Sequence, residues 1–207
     1  ECGFKVIQIN AAHGYLLSLS LSKYFNKRVD QFGQDRTFLL KSIINGIKCK
    51  IPDIVLDVRI SLLEGIEFRE KEIEYKTDIL ETLCCNEDEI DILSISAGIY
   101  NINKNLIYPS KADGVAPYIN LVLPFTDKYP QIIWNIAGNI YDLEFLRGMA
   151  KINLTYSIGR SLIADYKMVD KYAKGELDDI NKCHWCDNCH YYSKGDTLMA
   201  SCLSGTR

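Results

Sequence analysis

The side chains best suited to proton transfer lie near the start of the chain, in "NAAHGY" after a strand-like run. Asn10, His13 and Tyr15 fall close together there. An amide and an imidazole can donate hydrogen bonds to an oxygen that gains negative charge, and a phenol can act as a general acid. A lone His-Gly-Tyr carries little information, however. The alternative is that Asn10 caps the strand–loop junction and His13 is a structural histidine.

Two glycine-containing segments farther along the chain, "AGN" and "GRS", are suited to hold a phosphate group. The residues concerned are Gly138, Asn139, Gly159 and Arg160. Backbone N–H groups of the first three can cradle a phosphate, helped by the N-terminus of a following helix. The arginine would add a charge-assisted hydrogen bond. The alternative is that the glycines only permit tight turns.

Four cysteines follow near the C-terminal end with the spacing C-x2-C-x2-C-x12-C. They are Cys183, Cys186, Cys189 and Cys202. Four thiolates at this spacing suit a [4Fe–4S] cluster or tetrahedral zinc, and His184 and His190 could serve as zinc ligands. We favour the cluster over zinc. A set of reduced thiols without metal is the remaining alternative.

Composition narrows the class of protein. The chain has 207 residues, a net charge of −3 and eight cysteines. Charges of both signs are interspersed, which gives no electrostatic footprint for nucleic acid or an anionic membrane. No apolar run is long enough to cross a bilayer, and no signal-peptide pattern is present. The cysteines do not form a disulfide framework, so we expect a reducing compartment, the cytoplasm.

Short apolar strands alternate with amphipathic helices. Strands are predicted at 4–10, 53–61, 90–99, 131–139 and 154–159, and helices at 35–48, 76–85, 117–129, 141–151 and 168–177. Pro124 is expected to break the third helix. The first helix is expected to carry Phe38, Leu39, Ile43, Ile44 and Ile47 on one face. Strands without polar alternation, each followed by a helix, predict a parallel sheet covered by helices.

An open doubly wound sheet and a barrel both fit this alternation. Polar and glycine residues follow successive strands, as the active-site rim of a barrel requires. A complete eightfold barrel needs roughly 250 residues, so five units amount to about the last five-eighths of one. We therefore predict an α/β fold, with part of a (β/α)8 TIM barrel over residues 1–178 and a Cys-rich tail over 179–207.

Several segments in sequence order resemble the old yellow enzyme family of FMN-dependent ene-reductases. The resemblance is closest to the branch that includes 2,4-dienoyl-CoA reductases and NADH:flavin oxidoreductases. The segments are "GFKVIQINAAHGYLLSLSLSKYFNKRVDQFG", "DVRIS", "LSISAGIY" and "GRSLIADYKMVDKYAKGELDDINKC". They correspond to the family's C-terminal portion, from the fourth barrel strand onward, and extend to about Cys189.

The resemblance implies roles for individual residues. Asn10 and His13 would hydrogen-bond the carbonyl oxygen of the substrate, and Tyr15 would protonate the alkene carbon. The family usually has His at the first of these positions, where this chain has Asn. Arg59 would lie beside the pyrimidine edge of the flavin and stabilise negative charge on the reduced ring, which suits a permanently charged guanidinium. Some family members bind a [4Fe–4S] cluster at cysteines like those of the tail.

The expected function is therefore that of an FMN-dependent oxidoreductase. It would transfer hydride from NAD(P)H to a small α,β-unsaturated carbonyl or enoyl substrate. A dihydrouridine synthase is disfavoured, because such an enzyme needs a basic face for RNA. The alternative is a catalytically inactive fragment or partner subunit that retains the barrel fold and a metal-binding tail.

Family members carry further barrel strands ahead of the part that this chain matches. The sequence allows three expectations: a fragment of a longer product, one half of a split enzyme completed by an N-terminal half-barrel, or a self-associating chain. Five strands cannot close an eight-stranded barrel, and unpaired sheet edges are an aggregation hazard. We favour the first two expectations, because the sequence starts without Met and at a point that matches the middle of the barrel.

Overall fold

A computed structural model of the chain describes residues 2–85, 89–186 and 189, in which strands and helices alternate. The strands are β1 (Val6–Ala11), β2 (Val55–Ser61), β3 (Ile92–Ser96), β4 (Ile133–Ala137) and β5 (Leu154–Ser157). The α-helices are α1 (Leu16–Leu21), α2 (Gln31–Gln34), α3 (Phe38–Lys50), α4 (Arg69–Cys84), α5 (Lys104–Ile107), α6 (Ile119–Lys128), α7 (Leu143–Arg147), α8 (Arg160–Ala164) and α9 (Met168–Lys174). Short 3-10 helices span Lys111–Asp113 and Leu177–Asp179.

The five strands form one sheet in the order β1-β2-β3-β4-β5. Asn10 of β1 pairs with Arg59 of β2, and Ser61 of β2 pairs with Ser96 of β3, both in parallel register. Sequential parallel strands joined by helices are the repeating unit of a TIM barrel. The predicted α/β fold, with five consecutive β/α units of such a barrel, is confirmed.

Side chains alternate between the two faces of each strand. One face is apolar and almost fully buried, with Leu56, Val58, Ile60, Leu93 and Ile95 each at most 2% exposed. The helices bury their own apolar residues, among them Leu40, Ile44, Leu80, Leu83 and Val122. The intervening positions of β2 and β3 are polar: Asp57, Arg59, Ser61, Ser94 and Ser96. This polar face carries Arg59, one of the candidate site residues.

The described chain separates into two compact units. The first comprises residues 1–108, 118–136 and 152–155, and the second comprises 109–117, 137–151 and 156–207. The candidate residues Asn10, His13, Tyr15 and Arg59 belong to the first unit. The glycine loops and the tail cysteines Cys183, Cys186 and Cys189 belong to the second. The predicted start of the tail at residue 179 falls inside the second unit, and that boundary remains a prediction.

The prediction that Pro124 breaks the third helix is wrong. Helix α6 runs from Ile119 to Lys128 with Pro124 inside it. A proline in a helix removes one hydrogen bond to the carbonyl four residues earlier, here that of Asn120. Both residues are exposed, so water can satisfy that carbonyl. Burial of Val122 and Phe125 on the opposite side holds the helix together.

Other helix boundaries also differ from the prediction. Helix α4 begins at Arg69, seven residues early, because the charged run "REKEIEY" hides its apolar periodicity. Helix α7 is short and ends before Gly148, and α1 was not predicted. In α3 the fully buried residues are Leu40 and Ile44, so the predicted apolar face missed Leu40. No described helix is long and apolar enough to cross a membrane.

Candidate functional site

The loop after β1 turns sharply and carries His13 to the ends of the neighbouring strands. His13 and Gly14 both have positive φ, 62° and 83°. A Cβ on Gly14 would lie 2.5 Å from Cγ2 of Ile99, so a larger residue cannot fit unless Ile99 shifts. The His13 N–H donates to Ser61 Oγ at 2.9 Å, and its carbonyl accepts from the N–H of Tyr100 at 3.0 Å. The backbone of His13 is therefore fixed between β2 and β3.

The ring of His13 is half-buried and neutral at physiological pH. Its Nε2 atom lies 2.7 Å from Ser96 Oγ. Burial, reinforced by the positive charge of Arg59, lowers the pKa of His13 to about 4. A neutral imidazole donates one hydrogen bond and accepts another. His13 can therefore bind an oxygen without carrying a charge.

Asn10 and Arg59 lie side by side across the β1–β2 pair. The Oδ1 atom of Asn10 accepts from the N–H of Ala12 at 3.2 Å, which leaves the exposed side-chain NH2 as its donor. Burial lowers the pKa of Arg59, while the negative charge of Asp57 opposes that shift. The guanidinium stays protonated, because its ordinary pKa is so high.

Asp57 is a buried carboxylate on the same polar face of the sheet. Its Oδ2 atom accepts from Gln8 Nε2 at 2.5 Å, and the residue is 8% exposed. The other oxygen, Oδ1, is buried and has no hydrogen-bond partner in the described part of the chain. Asp57 therefore balances the charge of Arg59 and retains an unused acceptor.

Tyr15 is placed differently from Asn10 and His13. It is the residue before α1, and its side chain is 56% exposed. Across the described ranges, no hydrogen bond joins its hydroxyl to Asn10 or His13. The structure therefore brings Asn10, His13 and Arg59 to one end of the sheet, and it leaves the Tyr15 hydroxyl open to solvent.

The two glycine loops of the second unit are tied to each other. Gly138 and Asn139 follow β4 with φ of 117° and 54°. Gly159 and Arg160 begin α8, and Ser161 next to them donates from Oγ to the carbonyl of Ile140 at 2.7 Å. A Cβ built on Gly159 meets nothing within 4 Å, so the backbone there borders open space. The structure brings these predicted phosphate-binding residues together.

Two side chains of this group already have structural contacts. The Nδ2 atom of Asn139 donates to the carbonyls of Ser110 and Gly114, and its Oδ1 atom accepts from Trp185 Nε1 at 2.6 Å. Arg160 donates from Nη2 to the carbonyl of Pro109. Asn139 therefore orders the loop through its side chain, and only its backbone N–H remains for a ligand.

The cysteine tail is only partly described. Cys183 is buried, Cys186 is exposed and Cys189 is half-buried, whereas Cys202 lies outside the described residues. Within the described ranges, no three His, Cys, Asp or Glu side chains are grouped to hold a metal. Cys183 and Trp185 instead help to line a cavity of about 630 Å³ inside the second unit, together with Tyr141 and Met168. The metal site therefore remains a prediction.

Ser61, Ser96 and Asp57 lie on the same polar face of the sheet as Arg59 but were not predicted. The strand period of two contains the signal that could have found them, because residues 57, 59 and 61 share one face of β2. Ser96 pairs with Ser61 in the parallel register. That register depends on the tertiary fold and cannot be deduced from the local sequence pattern.

Comparison with known proteins assigns a family. The model of the NADH:flavin oxidoreductase / NADH oxidase family matches residues 1–179. An NADH oxidase of Thermoanaerobacter brockii is 29% identical over 191 residues, which is 89% of this chain and 28% of that protein. An NADPH dehydrogenase of Bacillus subtilis strain 168 is 34% identical over 101 residues, 47% of this chain and 29% of that protein.

A solved structure shows the same fold. It is a 2-naphthoyl-CoA reductase in complex with 2-naphthoyl-CoA, with a TM-score of 0.70 and 23% sequence identity. The match covers 92% of this chain and 29% of that one. The chain thus spans less than a third of the length of these relatives. Motif resemblance, family model and fold agree, and the chain belongs to the NADH:flavin oxidoreductase / NADH oxidase family, the old yellow enzyme family.

Proposed function

We propose that this chain forms part of an FMN-dependent oxidoreductase. The enzyme would pass hydride from NAD(P)H to a small α,β-unsaturated carbonyl or enoyl substrate. The observation that carries this proposal is a neutral His13 at one end of the sheet with the Asn10 amide and the Arg59 guanidinium. Family membership supports the FMN and NAD(P)H parts, and the unsaturated substrate is our extension.

The residues of the first unit suit this reaction. Negative charge develops on the carbonyl oxygen when the β-carbon of an enone accepts hydride. The Asn10 NH2 group and one N–H of His13 would donate hydrogen bonds to that oxygen, and fixed donors lower the barrier because they need no reorganisation. Tyr15, with its exposed hydroxyl, would supply the proton to the α-carbon as a general acid.

The residues present fit an FMN cofactor. When bound, FMN would carry hydride from NAD(P)H to the substrate. A half-buried guanidinium suits the electron-rich edge of a flavin ring, so Arg59 would hold that end. The backbone at Gly159 borders open space, which suits a phosphate. Gly138, Asn139 and Gly159 would hold the phosphate, and Arg160 would add positive charge.

We further propose that Cys183, Cys186, Cys189 and Cys202 hold a [4Fe–4S] cluster, with zinc as the less favoured metal. Their spacing supports this assignment. The chain purified without oxygen should contain about four irons per molecule, and alanine at Cys186 should abolish iron binding. A metal-free chain, or iron that persists in that variant, would contradict the assignment.

The catalytic proposal is tested by turnover. The enzyme that contains this chain, purified with added FMN, should oxidise NADH or NADPH in the presence of an α,β-unsaturated ketone. Tyr15→Phe should reduce turnover by roughly 10²- to 10⁴-fold, the usual contribution of a general acid, without changing flavin binding. Tyr166→Phe is the matched control, since Tyr166 is also exposed, at 80%.

Two outcomes would contradict the proposal. Unchanged turnover in Tyr15→Phe would remove the proton-donor role from this residue. Flavin binding without any turnover on unsaturated carbonyl or enoyl substrates would favour the alternative, a catalytically inactive partner subunit that keeps the fold.

A further inference from the structure

The hydroxyl of Ser96 contacts the ring of His13 and the guanidinium of Arg59. Ser96 is buried, with 4% of its surface exposed. Its Oγ atom lies 2.7 Å from His13 Nε2 and 3.5 Å from Arg59 Nη2. No other hydrogen bond to Ser96 Oγ is found in residues 2–85, 89–186 and 189. The three side chains therefore form a short chain from a fixed positive charge to the imidazole.

The arginine determines which way the serine hydroxyl points. A guanidinium can only donate hydrogen bonds, and its charge attracts the oxygen end of the hydroxyl dipole. The hydrogen of Ser96 therefore turns away from Arg59, and His13 Nε2 is the acceptor there. If Nε2 carried the proton instead, Ser96 Oγ would face two donors. Its own hydrogen would then lack an acceptor within the described part of the chain, an unfavourable state for a buried hydroxyl.

This direction determines the tautomer of His13. A neutral imidazole has one N–H, so an accepting Nε2 places the proton on Nδ1. Nδ1 has no hydrogen-bond partner among the residues that the structure describes. We propose that Ser96, oriented by Arg59, is a positioning residue that holds His13 in its Nδ1–H tautomer. The ring then presents a neutral donor to the oxygen of a bound substrate.

The tautomer matters for the reaction, because the opposite one would present a lone pair to the substrate oxygen and repel it. The catalytic role of this tautomer thus rests on the proposed function. The tautomer itself is a property of the chain and can be measured without flavin or substrate.

The test is nitrogen-15 NMR of the histidine rings in the full chain at pH 7. The chain has three histidines, and the signals lost in His13→Gln identify those of His13. Two-bond nitrogen–proton correlations should show the proton on Nδ1. Ser96→Ala should shift the population toward Nε2–H, and Ser96→Thr, which keeps the hydroxyl, should restore Nδ1–H.

Ser94→Ala is the matched control. Ser94 lies on the same strand and is 2% exposed, but its hydroxyl accepts from Asn135. This variant should leave the His13 tautomer unchanged, which separates the effect of the hydroxyl from a general loss of packing. Circular dichroism checks that each variant folds. The wild-type spectrum decides the tautomer even if Ser96→Ala does not fold.

A proton on Nε2 in the wild type, or a Ser96→Ala spectrum identical to that of the wild type, would overturn the proposal. The proposed function fails separately. A chain with the Nδ1–H tautomer that binds no FMN and reduces no substrate would refute the function and leave the tautomer assignment standing. Turnover by a protein whose His13 ring carries its proton on Nε2 would support the function and refute the tautomer assignment.

Discussion

Replacing Lys76 by Met should strongly destabilise the first unit. Lys76 is 4% exposed, and its Nζ atom lies 2.8 Å from Oε1 of Glu64, which is fully buried. Burial lowers the pKa of Lys76, and the charge of Glu64 opposes that shift. The substitution leaves the Glu64 carboxylate buried. Among the described residues, its remaining hydrogen bonds come from the hydroxyls of Tyr75 and Ser22 at 2.8 and 2.7 Å.

The magnitude follows from these contacts. Breaking a buried ion pair by removing one partner costs about 3–5 kcal/mol of unfolding free energy. Two hydroxyl donors remain on the carboxylate, so we expect a value near the lower end, about 3 kcal/mol. The double variant Glu64→Gln with Lys76→Met removes both charges. It should regain most of this loss, because a neutral pair needs no compensating charge.

Urea denaturation followed by circular dichroism measures the difference. The control is Lys71→Met on the same helix, because Lys71 is 62% exposed and pairs with Glu67 at 3.3 Å. Such an exposed pair should contribute less than about 1 kcal/mol. The reasoning would be refuted if Lys76→Met were no less stable than Lys71→Met. It would also fail if the double variant were as unstable as Lys76→Met alone.

The remaining predictions concern the loop after β1, which holds His13 and Gly14, and the loop after β4, which holds Asn139. His13 has a lowered pKa, so the unfolded chain binds more protons between pH 6.5 and about 4. The free energy of unfolding should therefore fall as the pH drops through that window. Urea denaturation should show a smaller fall in His13→Gln than in the wild type. Gly14→Ala should cost about 2–3 kcal/mol by the same method, since the new Cβ meets an isoleucine methyl group as well as a positive φ. Gly114→Ala, with a positive φ but nothing within 4 Å, should cost about 1–2 kcal/mol. Asn139→Ala should shift the fluorescence of Trp185 and leave that of the other tryptophan unchanged, because it removes the hydrogen bond to the indole.

Much of the fold was predictable because buried parallel strands have a recognisable local sequence pattern. Each of the five strands is a short apolar run between polar or glycine residues, and all five were found. Helix ends were less predictable. Arg69 begins α4 inside a charged run, and Pro124 lies within α6, because in both cases burial elsewhere on the helix outweighs the local signal.

The candidate site was predictable only where a motif marked it. Asn10 and Arg59 lie near the ends of β1 and β2, and His13 lies in the loop after β1. All three fall in recognisable segments, and the structure brings them to one end of the sheet. Asp57 and Ser96 lie in the quoted segments "DVRIS" and "LSISAGIY", but nothing in those segments singled out their side chains. Their roles depend on the strand register and on burial, which join positions up to 83 residues apart in the chain. The exposed position of Tyr15 likewise depends on the loop conformation rather than on the residue type.

The central proposal is that this chain binds FMN. The most direct measurement is the visible absorption spectrum of the full chain, purified without oxygen and freed of unbound FMN by gel filtration. The two absorption bands of oxidised flavin should remain with the protein after exposure to air, at about one flavin per chain. They should be lost in Arg59→Ala combined with Arg160→Ala. A folded chain that stays colourless after incubation with FMN would contradict the claim.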